Sequence, residues 1–315
     1  IPFIWSAPVM MIVLEWVYPA LFPSFISNSQ YRQTVLIQSL DIWGALGLSG
    51  LITLSSAVVY QLLAYRVRKK GDLPRRAALV FGALFVANVI YGFGALDRID
   101  TQVAQTEQQV KVGLVQTNMG IYDKRKDPRE GLRRHREQSL KLQEQGADLI
   151  VWPESGYYYA IMQGTRNVGR QVHGPVSTPI LFGGLKLNPK AAEREIYNTA
   201  FMTDAKGGVL GTYDKTYLLA FGEYLPFGDL IPWLYKLSPN TSKFTPGSHT
   251  RPLELEGIKY GVMICYEDIL PRFVQKLMDH NPQVLVNITN DAWFGDSTEP
   301  VIHLALSTFR AVEHR

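Results

Sequence analysis

Two predominantly apolar stretches, Ile42 to Ala64 and Ala77 to Leu96, constrain this chain more than any other feature. Each has the length of about 20 residues that a bilayer span requires. A third stretch, Ile1 to about Val17, is shorter and predicts a span that begins upstream. Between the two long stretches runs Arg66-Val67-Arg68-Lys69-Lys70-Gly71-Asp72-Leu73-Pro74-Arg75-Arg76, with six positive charges and one negative. Short cationic loops stay on the cytoplasmic side. The link from Tyr18 to Asp41 and everything after Leu96 are therefore expected on the opposite side. The chain starts at Ile1 without an initiator Met and stops at Arg315 inside a helical pattern, so a fragment of a multi-pass membrane protein, truncated at both ends, is expected. Glu15, beside Trp16, is either an acid acting at membrane depth or an interfacial residue.

Residues 1–100 thus predict a partial transmembrane bundle, and the polar, unpatterned residues 101–109 a linker. From residue 110 to residue 315 the pattern is globular. Strands are predicted at Val110–Gln116, Asp148–Trp152, Pro179–Gly183, Ile196–Met202, Val209–Tyr213, Lys259–Ile264 and Gln283–Asn287, and helices at Arg129–Gln145, Pro271–Asp279 and Val301–Glu313. Strands alternating with helices on near-continuous apolar runs predict a layered α/β domain with covered sheet faces. The net charge of +4 is mild, and the basic residues are not interleaved with aromatics, which argues against a nucleic-acid partner.

Cys265 is the only cysteine, so no intrachain disulfide is possible. It ends the apolar run Tyr260 to Ile264, and is either a buried filler or a reactive thiol. Two other apolar segments end in similarly placed charges. Val151-Trp152-Pro153-Glu154-Ser155 puts an acid just past a strand, where open α/β sheets carry functional groups, although such an acid is also an ordinary helix cap. Tyr213-Asp214-Lys215-Thr216-Tyr217 puts a lysine in the same relation to its strand, although loop lysines ordinarily face water. Together a carboxylate, an ammonium and a thiol make a base, an oxyanion stabiliser and a nucleophile. Glu223, a few residues on, is placed to position the lysine or the base. The six histidines are scattered without metal-ligand spacing and read as surface or capping residues, and neither metal nor cofactor is expected.

The ordered set Trp-Pro-Glu-Ser, Tyr-Asp-Lys and Ile-Cys-Tyr-Glu resembles the Glu-Lys-Cys triad of the nitrilase (carbon-nitrogen hydrolase) superfamily. Leu14-Glu15-Trp16, the Asp41-to-Gly50 segment, Phe221-Gly222-Glu223-Tyr224-Leu225-Pro226 and Asn290-Asp291-Ala292-Trp293-Phe294-Gly295-Asp296 resemble the apolipoprotein N-acyltransferase branch. The resemblance implies a four-layer αββα nitrilase-like sandwich attached to a transmembrane helix bundle. It implies a bacterial inner-membrane enzyme whose catalytic domain faces the periplasm. Its acyl donor would be a phospholipid and its acceptor the N-terminal amine of a diacylglyceryl-cysteine lipoprotein. Carried over, Glu154 is the general base, Lys215 the oxyanion stabiliser and Cys265 the nucleophile. Glu223, Tyr266 and Glu267 support them, and Asn198 is a structural asparagine nearby. The segment 122–128 lacks the tryptophan the family often shows there, so no lipid contact is transferred to it, and the chain ends before the family's last strands and span. An amidase or nitrilase that passes the acyl group to water, and an inactive lipoprotein-binding scaffold, are the rival readings.

Tyr217 to Tyr235 is too apolar for a solvated connection and too interrupted by Gly222, Pro226, Gly228 and Pro232 for a long helix. It either packs into the core or, with Leu230, Ile231 and Trp233, forms a lid at the bilayer interface hinged at Gly222 and Gly228.

Overall fold

The computed structural model describes residues 2–69, 71–120, 126–190, 195–239 and 241–315, and its contacts divide the chain into two units. Lys70 of the basic loop and residues 122–125 of the tryptophan-less segment lie outside the described residues.

The first unit holds Ile1–Glu107 together with Val301–Arg315. Its helices Phe3–Val17, Leu40–Arg66 and Arg75–Gln105 follow the three apolar stretches, and the latter two are long and apolar enough to cross a membrane. At 27 residues, Leu40–Arg66 reaches about 40 Å. It is broken near its start by Gly44, whose φ of 63° suits a residue without a side chain. Small residues let the helices approach: a Cβ on Gly50 would stand 2.7 Å from Ile12, and one on Gly92 would collide with the Val35 carbonyl. Polar side chains add hydrogen bonds inside the apolar unit. Asn88 donates to the Leu36 carbonyl (3.0 Å) and accepts from Ser39, and the Tyr91 hydroxyl donates to Asp41 (2.6 Å). Glu15 accepts from the Ile26 amide at 2.7 Å, which ties the first helix to the connection after it.

Two expectations about boundaries change. Residues 101–105, expected in a linker, continue the preceding helix, because polar side chains at the end of a long helix give the backbone no reason to break. The Glu299–His314 helix, expected within the α/β domain, groups from Val301 onward with the first unit. Phe309 is fully buried in a cluster with Ile37, Leu40, Ala45, Leu48 and Leu51, and Arg315 pairs with Asp41 at 3.0 Å.

The second unit, Gln108–Pro300, is the layered α/β domain. Strands β1 (Val112–Leu114), β2 (Leu149–Val151), β4 (Ile180–Asn188), β5 (Glu195–Thr203) and β6 (Val209–Asp214) form one sheet in that order. β3 (Tyr157–Met162) pairs with β4 as well. β1, β2 and β4 run parallel, while β4, β5 and β6 are antiparallel. β2 and β3 take successive halves of the same edge of β4: Val151 registers with Leu181, and Tyr157 with Gly184. The second sheet has β8 (Ile258–Ile264) between β7 (Leu253–Leu255), antiparallel, and β9 (Val284–Ile288), parallel.

Strand alternation sorts the core into layers. From β2, Leu149 and Val151 enter the core shared with Tyr260, Val262 and Ile264 of the second sheet. Phe273, Val274 and Leu277 of the Pro271–Met278 helix join that cluster. The alternate residues Ile150 and Trp152 point into a separate core with Phe182 and Phe201, closed by Leu132 and Leu140 of the Pro128–Glu144 helix. The result is the αββα order expected.

Histidines depart from the surface reading. His135, His173 and His303 are buried. His135 donates through Nδ1 to the Gly131 carbonyl at 2.7 Å and lies against Trp152, with ring centroids 4.8 Å apart. His173 bridges the Val176 carbonyl and the Thr203 hydroxyl. Imidazole combines a flat apolar face with two ring nitrogens, so it fills an interior position wherever backbone groups need partners.

Candidate active site

Three strands end at one place. Glu154 follows β2 by three residues, Lys215 follows β6 and Cys265 follows β8. The Glu154 loop leaves the sheet between the parts of β4 held by β2 and β3, and it lies directly on Gly183. A Cβ at Gly183 would come 2.7 Å from the Glu154 Cα and 2.8 Å from the Pro153 carbonyl, so any side chain there would push the acid's backbone away. Cys265 has φ of 56°, a left-handed conformation unusual outside glycine, at the step from β8 into the one-turn helix Cys265–Ile269. Such strain persists only where surrounding contacts hold it.

Glu267 supplies that hold. Its fully buried carboxylate accepts from the Ile264 amide (2.9 Å) behind Cys265 and from the Thr216 (2.8 Å) and Tyr217 (3.0 Å) amides just past Lys215. The Tyr213 hydroxyl donates to it from β6 at 2.8 Å, and the Thr216 hydroxyl at 3.1 Å. One side chain therefore ties the turn carrying the thiol to the turn carrying the lysine. Burial pushes this carboxyl upward, against the pull of the amides.

Lys215 is 1 % exposed. Its Nζ stands 2.8 Å from Glu223 Oε2, 3.8 Å from Glu154 Oε1 and 5.4 Å from the centre of the Tyr266 ring. Asn198 on β5 donates through one Nδ2 to Glu154 (2.7 Å) and to Glu223 (2.9 Å), so a neutral amide separates two carboxylates that share one ammonium. Glu223 also accepts from the Leu219 amide at 2.8 Å, and the Tyr266 hydroxyl donates to the Leu218 carbonyl at 2.9 Å.

The electrostatics follow from this crowding. Burial raises the Glu154 carboxyl above its ordinary range, opposed by Lys215 and reinforced by Glu223. Burial works against the Lys215 charge, but Glu154 and Glu223 outweigh it and keep the ammonium protonated. Burial and the Glu154 charge raise the Cys265 thiol, with Lys215 and the Thr289 side chain opposing. At rest the sulfur carries its proton, so attack requires a base to remove it. A carboxylate raised by burial, set beside a cation that would accept developing negative charge, is a chemically apt neighbour for that thiol.

The structure gathers Glu154, Lys215, Cys265, Glu223, Asn198, Tyr266 and Glu267 into one neighbourhood. Tyr213 and Thr216, which anchor Glu267, were not singled out from the sequence; the available signal was their position in the same Tyr-Asp-Lys-Thr motif as Lys215. Leu230, Ile231 and Trp233 are 80 %, 36 % and 56 % exposed, and Phe227 and Leu237 are exposed with them, so this segment is not core. The two glycines expected as hinges do not carry unusual torsions. Gly228 is a close-approach position, where a Cβ would meet the Tyr235 ring at 2.5 Å, and the positive φ angles fall on Phe221 (67°) and Phe227 (62°).

Residues 111–315 match the carbon-nitrogen hydrolase family model. Among curated proteins, apolipoprotein N-acyltransferase from Geobacter metallireducens is 31 % identical over 98 % of this chain and 60 % of the relative. The protein of the same name from Bdellovibrio bacteriovorus is 36 % identical over 53 % of this chain and 33 % of the relative. That from Rhizobium rhizogenes is 28 % identical over 96 % of this chain and 58 % of the relative. The chain thus spans about 60 % of the length of relatives that it matches end to end. A solved amidase from Nesterenkonia sp. shares 21 % identity, covering 63 % of this chain and 71 % of its own, with a TM-score of 0.40.

Proposed function

Because the chain belongs to the carbon-nitrogen hydrolase family, we propose that it is the core of a membrane N-acyltransferase working through a cysteine thioester. In the first step the Cys265 sulfur bonds to the carbonyl carbon of a phospholipid ester. Glu154 takes the thiol proton and Lys215 faces the oxyanion. The C–O bond then breaks and Glu154 returns the proton to the departing lysophospholipid. In the second step the α-amine of a diacylglyceryl-cysteine lipoprotein bonds to the thioester carbon, the C–S bond breaks, and the proton lost by nitrogen returns to sulfur through Glu154. Glu223 holds Lys215, Asn198 keeps the two carboxylates apart, Glu267 braces both turns and Tyr266 flanks the ammonium. The single observation that carries this reading is the buried lysine held between two carboxylates at the turn beside the lone cysteine. The names of the relatives supply the acceptor and the membrane setting.

The test is the intact mass of the full-length protein after incubation with phospholipid. A hydroxylamine-labile gain of one acyl chain is expected, discharged when a diacylglyceryl-cysteine peptide is added and recovered on that peptide's amine. Discharge to water regardless of peptide would favour a hydrolase, and no adduct at all would favour an inactive scaffold.

We further propose a multi-pass protein of the bacterial inner membrane with the α/β unit on the periplasmic side, supported by the cationic loop between the two long helices. In a Cys265→Ser background, a cysteine placed at Lys69 should resist an impermeant thiol reagent in intact cells and one at Lys190 should react; the reverse pattern would overturn the orientation.

The exposed apolar residues Leu230, Ile231 and Trp233 fit a lid that meets the outer leaflet. Changing all three to serine should slow acylation from phospholipid vesicles by about tenfold or more, since each loses apolar contact with lipid. Alkylation of Cys265 by iodoacetamide should stay within about twofold; equal loss of both would make the segment structural.

A further inference from the structure

Thr289 and Asp291 were brought to the site by register rather than by any role assigned above. β8 and β9 run parallel with Ile264 opposite Ile288, so the next residue on each strand, Cys265 and Thr289, emerge side by side at the same end of the sheet. The Thr289 hydroxyl donates to Asp291 Oδ1 at 2.9 Å, and its place beside Cys265 at the shared strand end favours the thiolate over the thiol. A hydroxyl has one proton to give and two lone pairs to receive with. While the sulfur is protonated, Thr289 can accept from S–H and give its own proton to Asp291. Once the sulfur is negative, the same proton is better placed on sulfur, because a hydrogen bond to an ion is stronger than one to a neutral group.

We propose that Thr289 is a positioning residue for Cys265, its hydroxyl proton shared between Asp291 and the sulfur and turning to the sulfur as the thiolate forms. The inference rests on Cys265 being the nucleophile of the proposed reaction. It explains why a thiol that burial and Glu154 both push toward its neutral form is not left to Lys215 alone. The other charged or titratable groups around the sulfur are Glu154 beyond β2, Lys215 beyond β6, Glu223 in the following loop and Tyr266 next in the chain. The Thr289 hydroxyl can change its partner by rotating about one bond, without taking or losing a proton.

The experiment is the pH dependence of Cys265 alkylation by iodoacetamide in the full-length protein in detergent, which reads thiolate formation without any acyl transfer. Thr289→Val should move the midpoint to higher pH and slow alkylation at neutral pH by about tenfold, the scale of one hydrogen bond to a charged group. Thr289→Ser should restore the wild-type profile. Asp291→Ala should move the midpoint the other way, because the hydroxyl proton loses its competing acceptor. In the Thr289→Val background that second shift should shrink by at least half. A Thr289→Val profile that superimposes on wild type would overturn the proposal, and so would an Asp291→Ala shift of equal size in both backgrounds. Should the valine variant fail to fold, Thr289→Ala takes its place. Absence of acyl transfer in every protein, wild type included, would refute the acyltransferase reading and leave this comparison standing.

Discussion

Replacing Cys265 by serine is expected to abolish the acyl adduct, with single-turnover acylation from phospholipid falling by about 10⁴-fold or more, the scale seen when a nucleophile is removed from a catalytic group that acts as a unit. The reason lies in the base. Glu154 is raised by burial but remains a carboxyl, and it can take a proton from a thiol far more readily than from an alcohol. Serine is nearly the same size and carries the same backbone, so the left-handed turn at φ 56° and its brace through Glu267 should survive. Circular dichroism and melting should therefore match the wild type while the adduct disappears. A hydroxylamine-labile adduct that persists in Cys265→Ser would place the nucleophile elsewhere.

Lys215→Met should produce the second large loss, about 10²–10³ in acylation rate, as expected for one oxyanion-stabilising group. This variant also exposes a conflict that the wild type resolves. Glu154 is buried and Glu223 half-buried, and Asn198 separates them without neutralising either, so removing the ammonium leaves two poorly solvated carboxylates facing each other. Breaking a buried ion pair on one side typically costs about 3–5 kcal/mol, and the variant should melt earlier. Adding Glu223→Gln removes one of the opposed charges and should recover much of the stability but none of the rate. If Lys215→Met acylates at a near-normal rate, the lysine is structural; if the double variant regains rate together with stability, the loss was a folding defect.

The parts of this molecule that were legible in the sequence are those in which a local pattern decides the outcome. The apolar runs ending at Trp152, Tyr213 and Ile264 became strands, buried in β2 and most of β8 and partly exposed in β6, and the charged or reactive residue lies just past each. What escaped depends on pairing. β3 was missed because Tyr158, Tyr159 and Ala160 break the apolar-polar alternation, and only the open half-edge of β4 turns Tyr157–Met162 into a strand. β4 runs on through Lys186 and Asn188, past the Gly183-Gly184 pair that marks a strand end in the sequence, because β5 pairs with it as far as Glu195 and Lys186 reaches Asp214 at 2.6 Å. Thr289 was invisible as a neighbour of Cys265 for the same reason: 24 positions separate them, and only the offset between β8 and β9 makes them adjacent. The buried histidines were misread because spacing carries no information about which backbone carbonyl lacks a partner.

The divided edge of β4 has an evolutionary consequence. Past Glu154, Ser155 and Gly156 owe no ladder hydrogen bonds to β4, the last from β2's side being the Trp152 amide to the Leu181 carbonyl at 2.9 Å, and the far edge of β4 is secured by β5 along its whole length. Residues gained or lost there would lengthen or shorten the connection beside Glu154 while the sheet beneath kept its stagger. A lineage could in this way refit the same site to bulkier or slighter substrates by editing one short connection, provided position 183 stayed glycine to seat Glu154.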